Sequence, residues 1–180
     1  MGTGTPTPTT TNTPQPTPPP TNQQPPIQHT HPPPPVQQEP TPTPAREWLD
    51  PDFAGRVLAL FNAERTSRGL LALVVSGPLT ESAQTYARTL LQYDSLSHNT
   101  DGTSLSGRVQ AAGYSDGPHL AELLWGGTGS MPPERVVADW MASPTHRVII
   151  LDPRFQVAGT GCAFREGDRL RARCVMDLGG

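Results

Sequence analysis

Lysine is missing from this 180-residue chain: all 13 basic residues are arginine, against 16 acidic ones, for a net charge of −3. The arginines form no cluster of the kind that neutralises phosphates, which argues against nucleic acid as a partner. Long apolar runs are also missing. No stretch approaches the roughly 20 apolar residues that a helix needs to span a bilayer, so no transmembrane segment is expected. The amino terminus lacks the charged-then-apolar pattern of a secretory leader, and the expectation is that a leader was removed from a secreted chain. Residues 1–45 lack Phe, Trp and Tyr altogether and carry one charged residue, Glu39. A segment so poor in apolar and aromatic side chains cannot bury a core.

What residues 1–45 do contain is proline, 16 of the 23 in the chain, in repeated Thr-Pro steps and the run Pro32 to Pro35. This composition favours polyproline II and predicts a semi-stiff tether whose use is distance. Residues 46–180 have the size of one ordinary domain, and one folded unit, a monomer, is expected there. A Pro/Thr tether ahead of a single domain points to an extracellular setting, secreted or held at the cell surface.

Within residues 46–180, helical spacing of Phe53, Val57, Leu58, Leu60 and Phe61 predicts a helix over 52–68, stopped by Gly69. A second helix opens at Pro78 and buries Leu79, Ala83, Tyr86, Ala87, Leu90 and Leu91. Shorter helices are expected over 104–112, closed by Gly113, and over 132–142, with Pro133 in the first turn. Four helices thus precede two strands, 156–164 and 170–178, which flank the turn Glu166-Gly167-Asp168-Arg169 and form a hairpin. On the second strand Leu170, Ala172, Cys174 and Met176 share one face, expected to meet the core, and Arg171 and Arg173 the other. Residues 120–125 supply a candidate third strand. Helices early and antiparallel strands late predict an α+β layered domain with helices covering the sheet. A loop centred on Asp168 would set Cys162 opposite Cys174, either as a cross-strand disulfide suited to an oxidising compartment or as two small buried thiols.

Three residues carry candidate chemistry. Glu122 lies in an apolar run and needs a partner. His98 follows the second helix in a polar segment, and His146 follows Ser143-Pro144. Converging, they would have the ingredients of a metal site or of acid/base chemistry, although the spacing of the histidines matches no compact zinc motif. Trp140 and Tyr114 read as core residues, Asn62 and Arg65 as ties from the first helix to a neighbouring loop, and Asp101-Gly102 as a turn. His119, His29 and His31 read as solvated. Asp139, Ser143 and His146 invite a hydrolase triad, but Pro144 bends the chain among them and no Gly-x-Ser-x-Gly elbow is present. Ser143 reads better as a cap for the turn that presents His146.

The order of these segments is distinctive. Leu60-Phe61-Asn62-Ala63-Glu64-Arg65, Leu96-Ser97-His98, Asp101-Gly102-Thr103, Ala112-Gly113-Tyr114, Val137-Ala138-Asp139-Trp140-Met141, Ser143-Pro144-Thr145-His146-Arg147 and Val157-Ala158-Gly159-Thr160-Gly161 follow one another. Together they resemble the bacterial form of the CAP superfamily, the cysteine-rich secretory, antigen 5 and pathogenesis-related group, over about residues 53 to 178. The resemblance implies an α-β-α sandwich whose cleft is lined by two histidines and acidic residues, with zinc held there in some members. His98 and His146 fall on the two cleft histidines and Glu122 on the glutamate of the Gly-Glu-Asn motif. Here that motif reads Ala121-Glu122-Leu123, and Ser143 stands at a second acidic position, so a carboxylate is lost and weaker metal binding is expected.

The function expected is a non-enzymatic, surface-tethered module that holds a small ligand, lipid or cell-envelope component at the cleft of His98, Glu122, Ser143 and His146. One alternative is a hydrolase with zinc on His98 and His146 and Glu122 as general base. Another is a structural interaction domain with a vestigial cleft.

Overall fold

A computed structural model describes residues 1–2, 15–17, 45–167 and 169–180. The expected tether, with His29 and His31, falls almost wholly outside the described residues, as does Asp168 at the hairpin tip. The folded body belongs to the unit Pro42–Gly180.

Helix α1, Pro51–Thr66, starts where Asp50 accepts a hydrogen bond from the Phe53 amide at 2.8 Å with proline in the first turn. It ends just before Gly69, whose φ of 78° is the left-handed conformation that glycine tolerates at a helix end. Helix α2, Gly77–Gln92, is capped by Ser76 and buries the six residues expected of it. Helices α3, Leu105–Ala111, and α4, Pro133–Ala142, lie where the sequence placed them. A fifth helix does not: Pro144–Ile150 forms α5, where a turn was expected. Ser143 ends α4 with an extended backbone and caps α5, accepting from the His146 amide at 3.5 Å. Serine at the cap and proline at the first helical position are together a start signal, and here they restart the helix in a new direction.

The strands are β1, Glu47–Leu49, β2, Val74–Val75, β3, Leu120–Thr128, β4, Val157–Arg165, and β5, Arg171–Gly179. They pair in the order β1-β4-β5-β3, antiparallel throughout, with β2 added to β4 in parallel. Strands β1 and β2 were not anticipated, being too short to display an alternation. The hairpin register sets Cys162 opposite Cys174, and the two form a disulfide with a Cα–Cα distance of 4.2 Å.

Helices cover both faces of the sheet, giving an α-β-α sandwich. On one face Phe53, Val57 and Phe61 of α1, Trp140 of α4 and Ile150 of α5 pack with Cys174 and Met176 of β5. On the other, Ala83, Tyr86, Ala87 and Leu90 of α2 pack on Leu124, Ala163 and Val175. The Arg173 face of β5 is therefore buried as well: Arg173 lies beneath the α2 layer and donates to the Ser95 carbonyl at 3.0 Å and to Asp94 at 2.6 Å. Gly159 and Gly161 explain how closely α2 approaches. A Cβ on Gly159 would fall on the backbone of Leu79 and Thr80, and one on Gly161 on that of Ala83 and Gln84.

The expected ties of α1 are present. The Asn62 side chain bonds both the amide and the carbonyl of Leu73, and the Arg65 guanidinium donates to the carbonyls of Leu71, Ile150, Asp152 and Phe155. Trp140 and Tyr114 are buried, as expected of core residues.

Candidate functional site

The loop after α2 carries His98, and its shape is set from beneath. The Tyr86 hydroxyl donates to the Ser97 carbonyl at 2.6 Å and accepts from the Thr100 amide at 3.0 Å. Asp101 closes the expected turn by accepting from the amide and hydroxyl of Thr103, with Gly102 at φ 79°. Arg108 of α3 stacks over the Tyr86 ring, 3.5 Å from its centroid, and donates to the carbonyls of His98 and Thr103 at 3.1 and 3.0 Å.

Glu122 projects from β3 into this assembly, and its side chain is only 2% exposed. Its Oε1 lies 2.7 Å from His98 Nδ1, and its Oε2 accepts from Arg108 Nη2 at 2.6 Å. The partner that a carboxylate in an apolar run demanded is thus supplied twice over. Arg108 was not among the candidate site residues; the signal that could have found it is the need of buried Glu122 for a cation.

His98 has its Nδ1 engaged while its side chain remains 60% exposed. Nε2 is therefore the nitrogen left for a ligand. A carboxylate on one ring nitrogen fixes the orientation of the imidazole and raises the basicity of the other nitrogen. His146, half-buried on α5, is pushed below the usual histidine range by burial first and by His98 second. Ser143 serves as the cap of α5.

Asp139 is committed elsewhere: it accepts from Trp125 Nε1 at 2.9 Å and from Arg135 Nε at 2.7 Å. A triad of Asp139, Ser143 and His146 would leave those bonds unmade. His119 is not solvated as expected; it stacks on Phe155 with centroids 4.4 Å apart, and its Nε2 lies 3.4 Å from Asp152. The backbones of His119 and Gly180 exchange two hydrogen bonds, at 3.2 and 3.0 Å.

Among the described residues no group of three or more His, Cys, Asp or Glu is placed to hold a metal ion. His98 and His146 offer two imidazoles, and Glu122 is buried between His98 and Arg108. This donor set does not fit a zinc site with three protein ligands, either structural or catalytic.

A groove of about 510 Å³ runs between α2 and α3, lined among others by Glu81, Ser82, Tyr86, Asp101 and Arg108. Arg108 thus stands between this groove and the Glu122–His98 pair.

Comparison with known proteins places these features in a family. Residues 58–177 match the model of CAP, the cysteine-rich secretory protein family. The YkwD protein of Bacillus subtilis is 32% identical over 111 residues, which cover 59% of this chain and 40% of that protein, so the chain spans less than half the length of this curated relative. Among solved structures, an outer surface protein of Borrelia burgdorferi aligns with a TM-score of 0.63 at 18% identity, over 74% of this chain and 97% of that one. An extracellular SCP-domain protein of Bacillus anthracis aligns with a TM-score of 0.56 at 17% identity, over 71% of this chain and 40% of that one. At these identities the two structures establish the fold alone.

Proposed function

The chain belongs to the CAP family of cysteine-rich secretory proteins, and on that premise we propose that it is an extracellular binding module whose cleft, centred on His98 and His146, holds a small ligand, lipid or cell-envelope component. The observation that carries this reading is the engagement of Glu122. A general base must reach a water on the substrate side, whereas the Glu122 side chain is 2% exposed and is held between His98 on one side and Arg108 on the other. Glu122 therefore acts as the group that positions His98. The exposed ring of His98 and the half-buried, neutral ring of His146 are what a ligand meets. The disulfide between Cys162 and Cys174 suits an oxidising, extracellular setting. The proline-rich composition of residues 1–45 suits display of the domain at a distance from a wall or membrane.

Two titrations on the full chain at pH 7.5 test this, each with a His98→Ala, His146→Ala double variant as control. Zinc is titrated by calorimetry, and solubilised envelope lipid and glycan fractions are followed by ligand-observed NMR. Binding of an envelope fraction that the double variant loses supports the module. Micromolar or tighter zinc binding, accompanied by ester or peptide hydrolysis that Glu122→Gln abolishes, would overturn it in favour of a zinc hydrolase.

A further inference from the structure

A second carboxyl group, that of Asp177, lies opposite Glu122 in the sheet. Strands β3 and β5 pair in a register that sets Glu122 opposite Asp177 on the sheet face covered by α2, where directly opposed Cβ atoms stand about 5 Å apart. Asp177 is 0% exposed. Its Oδ2 accepts a hydrogen bond from the Ser82 hydroxyl of α2 at 2.7 Å, while its Oδ1 has no donor among the described residues.

The surroundings of Asp177 decide its charge. From α2 it is faced by the neutral Ser82, from β4 by Gly159, from β3 by the Glu122 carboxylate and from α3 by Arg108, with His98 lying beyond Glu122. Arg108 is already bonded to Glu122 and to two backbone carbonyls. A second negative charge in this interior would face the first with no counter-ion of its own, and a buried carboxyl in that position keeps its proton. The otherwise orphaned Oδ1 is then the place for the proton, with the Glu122 carboxylate paired opposite Asp177 as its acceptor.

We infer that Asp177 is held as the neutral acid and donates its Oδ1 proton to Glu122, which makes Asp177 a positioning residue for Glu122 and, through it, for His98. Glu122 then receives three donors, from His98, Arg108 and Asp177, and the cleft carries one carboxylate charge instead of two. Loss of the Asp177 proton to solvent leaves two adjacent carboxylates competing for one guanidinium, so the hold of Glu122 on His98 changes. Ligand capture at the cleft then depends on pH through a residue that no ligand touches. The inference rests on the reading of Glu122 as the group that positions His98, and the measurement below separates the two.

Carboxyl ¹³C and histidine-ring NMR of the full chain are recorded from pH 5 to 10 for the wild type and Asp177→Asn. Burial first and the Glu122 charge second push the Asp177 carboxyl up to about 8. One carboxyl signal of the wild type is therefore expected to titrate near that pH, and the His98 ring signals to shift with it. Both features disappear in Asp177→Asn, whose amide donates to Glu122 and whose oxygen accepts from Ser82. A wild type in which every carboxyl titrates below pH 6 overturns the inference, and needs no variant to do so. A carboxyl that titrates near pH 8 unnoticed by His98 overturns the positioning role while leaving Asp177 a neutral buried acid. A His98 ring that carries no proton on Nδ1 sinks the prior reading of Glu122 instead.

Discussion

The two faces of the central sheet are built by different rules. Beneath α1, α4 and α5 the interior is almost wholly apolar, and the buried cation there, Arg65, bonds backbone carbonyls that tie the loops flanking β2 and α5 to the helix. Beneath α2 and α3 the interior holds Ser82, Glu122, Arg173 and Asp177, each buried. The first face secures the fold, and the second uses part of that security to keep an acid pair, a guanidinium and an exposed imidazole in one arrangement. A polar interior of this kind costs stability in most settings, and its position directly behind His98 is the reason to read it as functional.

The sharpest way to separate the faces is to damage the apolar one. Phe61→Ala, at a site with 0% exposure, should cost about 3–5 kcal/mol by cavity formation in chemical denaturation, while the His98 ring signals of the folded fraction stay where they were. Gly161→Val attacks the other layer by forcing α2 off β4, with an expected loss of about 3 kcal/mol; here the His98 signals should shift together with the stability. If they do not, the dependence of the cleft on the α2 layer is refuted. Tyr86→Phe is gentler. It removes the hydroxyl that bonds Ser97 and Thr100, at a cost of about 1 kcal/mol, and should raise amide exchange in the His98 loop before anywhere else.

The smallest effect at low pH belongs to Asp177→Asn, whose stability should match the wild type near pH 4. An ordinary aspartate ionises near pH 4 when unfolded, whereas Asp177 in the folded chain holds its proton up to about 8. Between these values the folded state binds a proton that the unfolded state has released, so wild-type stability falls as pH rises through that window. The variant lacks this fall and should become the more stable of the two at pH 9, as read by urea denaturation at each pH.

Much of the scaffold was legible because its signals are local. The stripe of α2 from Leu79 to Leu91 follows a helical period, and the hairpin arithmetic around Asp168 set the two cysteines face to face. Glu122 stood out because a charge in an apolar run is an anomaly. Asp177 did not, because in an alternating strand a polar residue reads as solvent-facing, and alternation cannot tell a face open to water from one covered by a helix. Arg171 and Arg173 were equally uninformative for that reason, although one is exposed and the other buried. The restart of the helix at Ser143-Pro144 was hidden by reading proline as a bend when it can equally begin a helix.

Glu122 as the group that positions His98 is the central claim to test. Long-range ¹H–¹⁵N NMR of the neutral His98 ring measures this directly, in the wild type and in Glu122→Gln. In the wild type the proton is expected on Nδ1, donated to Glu122. In the variant a switch to Nε2 is expected, because the glutamine oxygen turns to Arg108 and its amide donates to Nδ1. A wild-type ring protonated on Nε2, unchanged by the substitution, would contradict that claim.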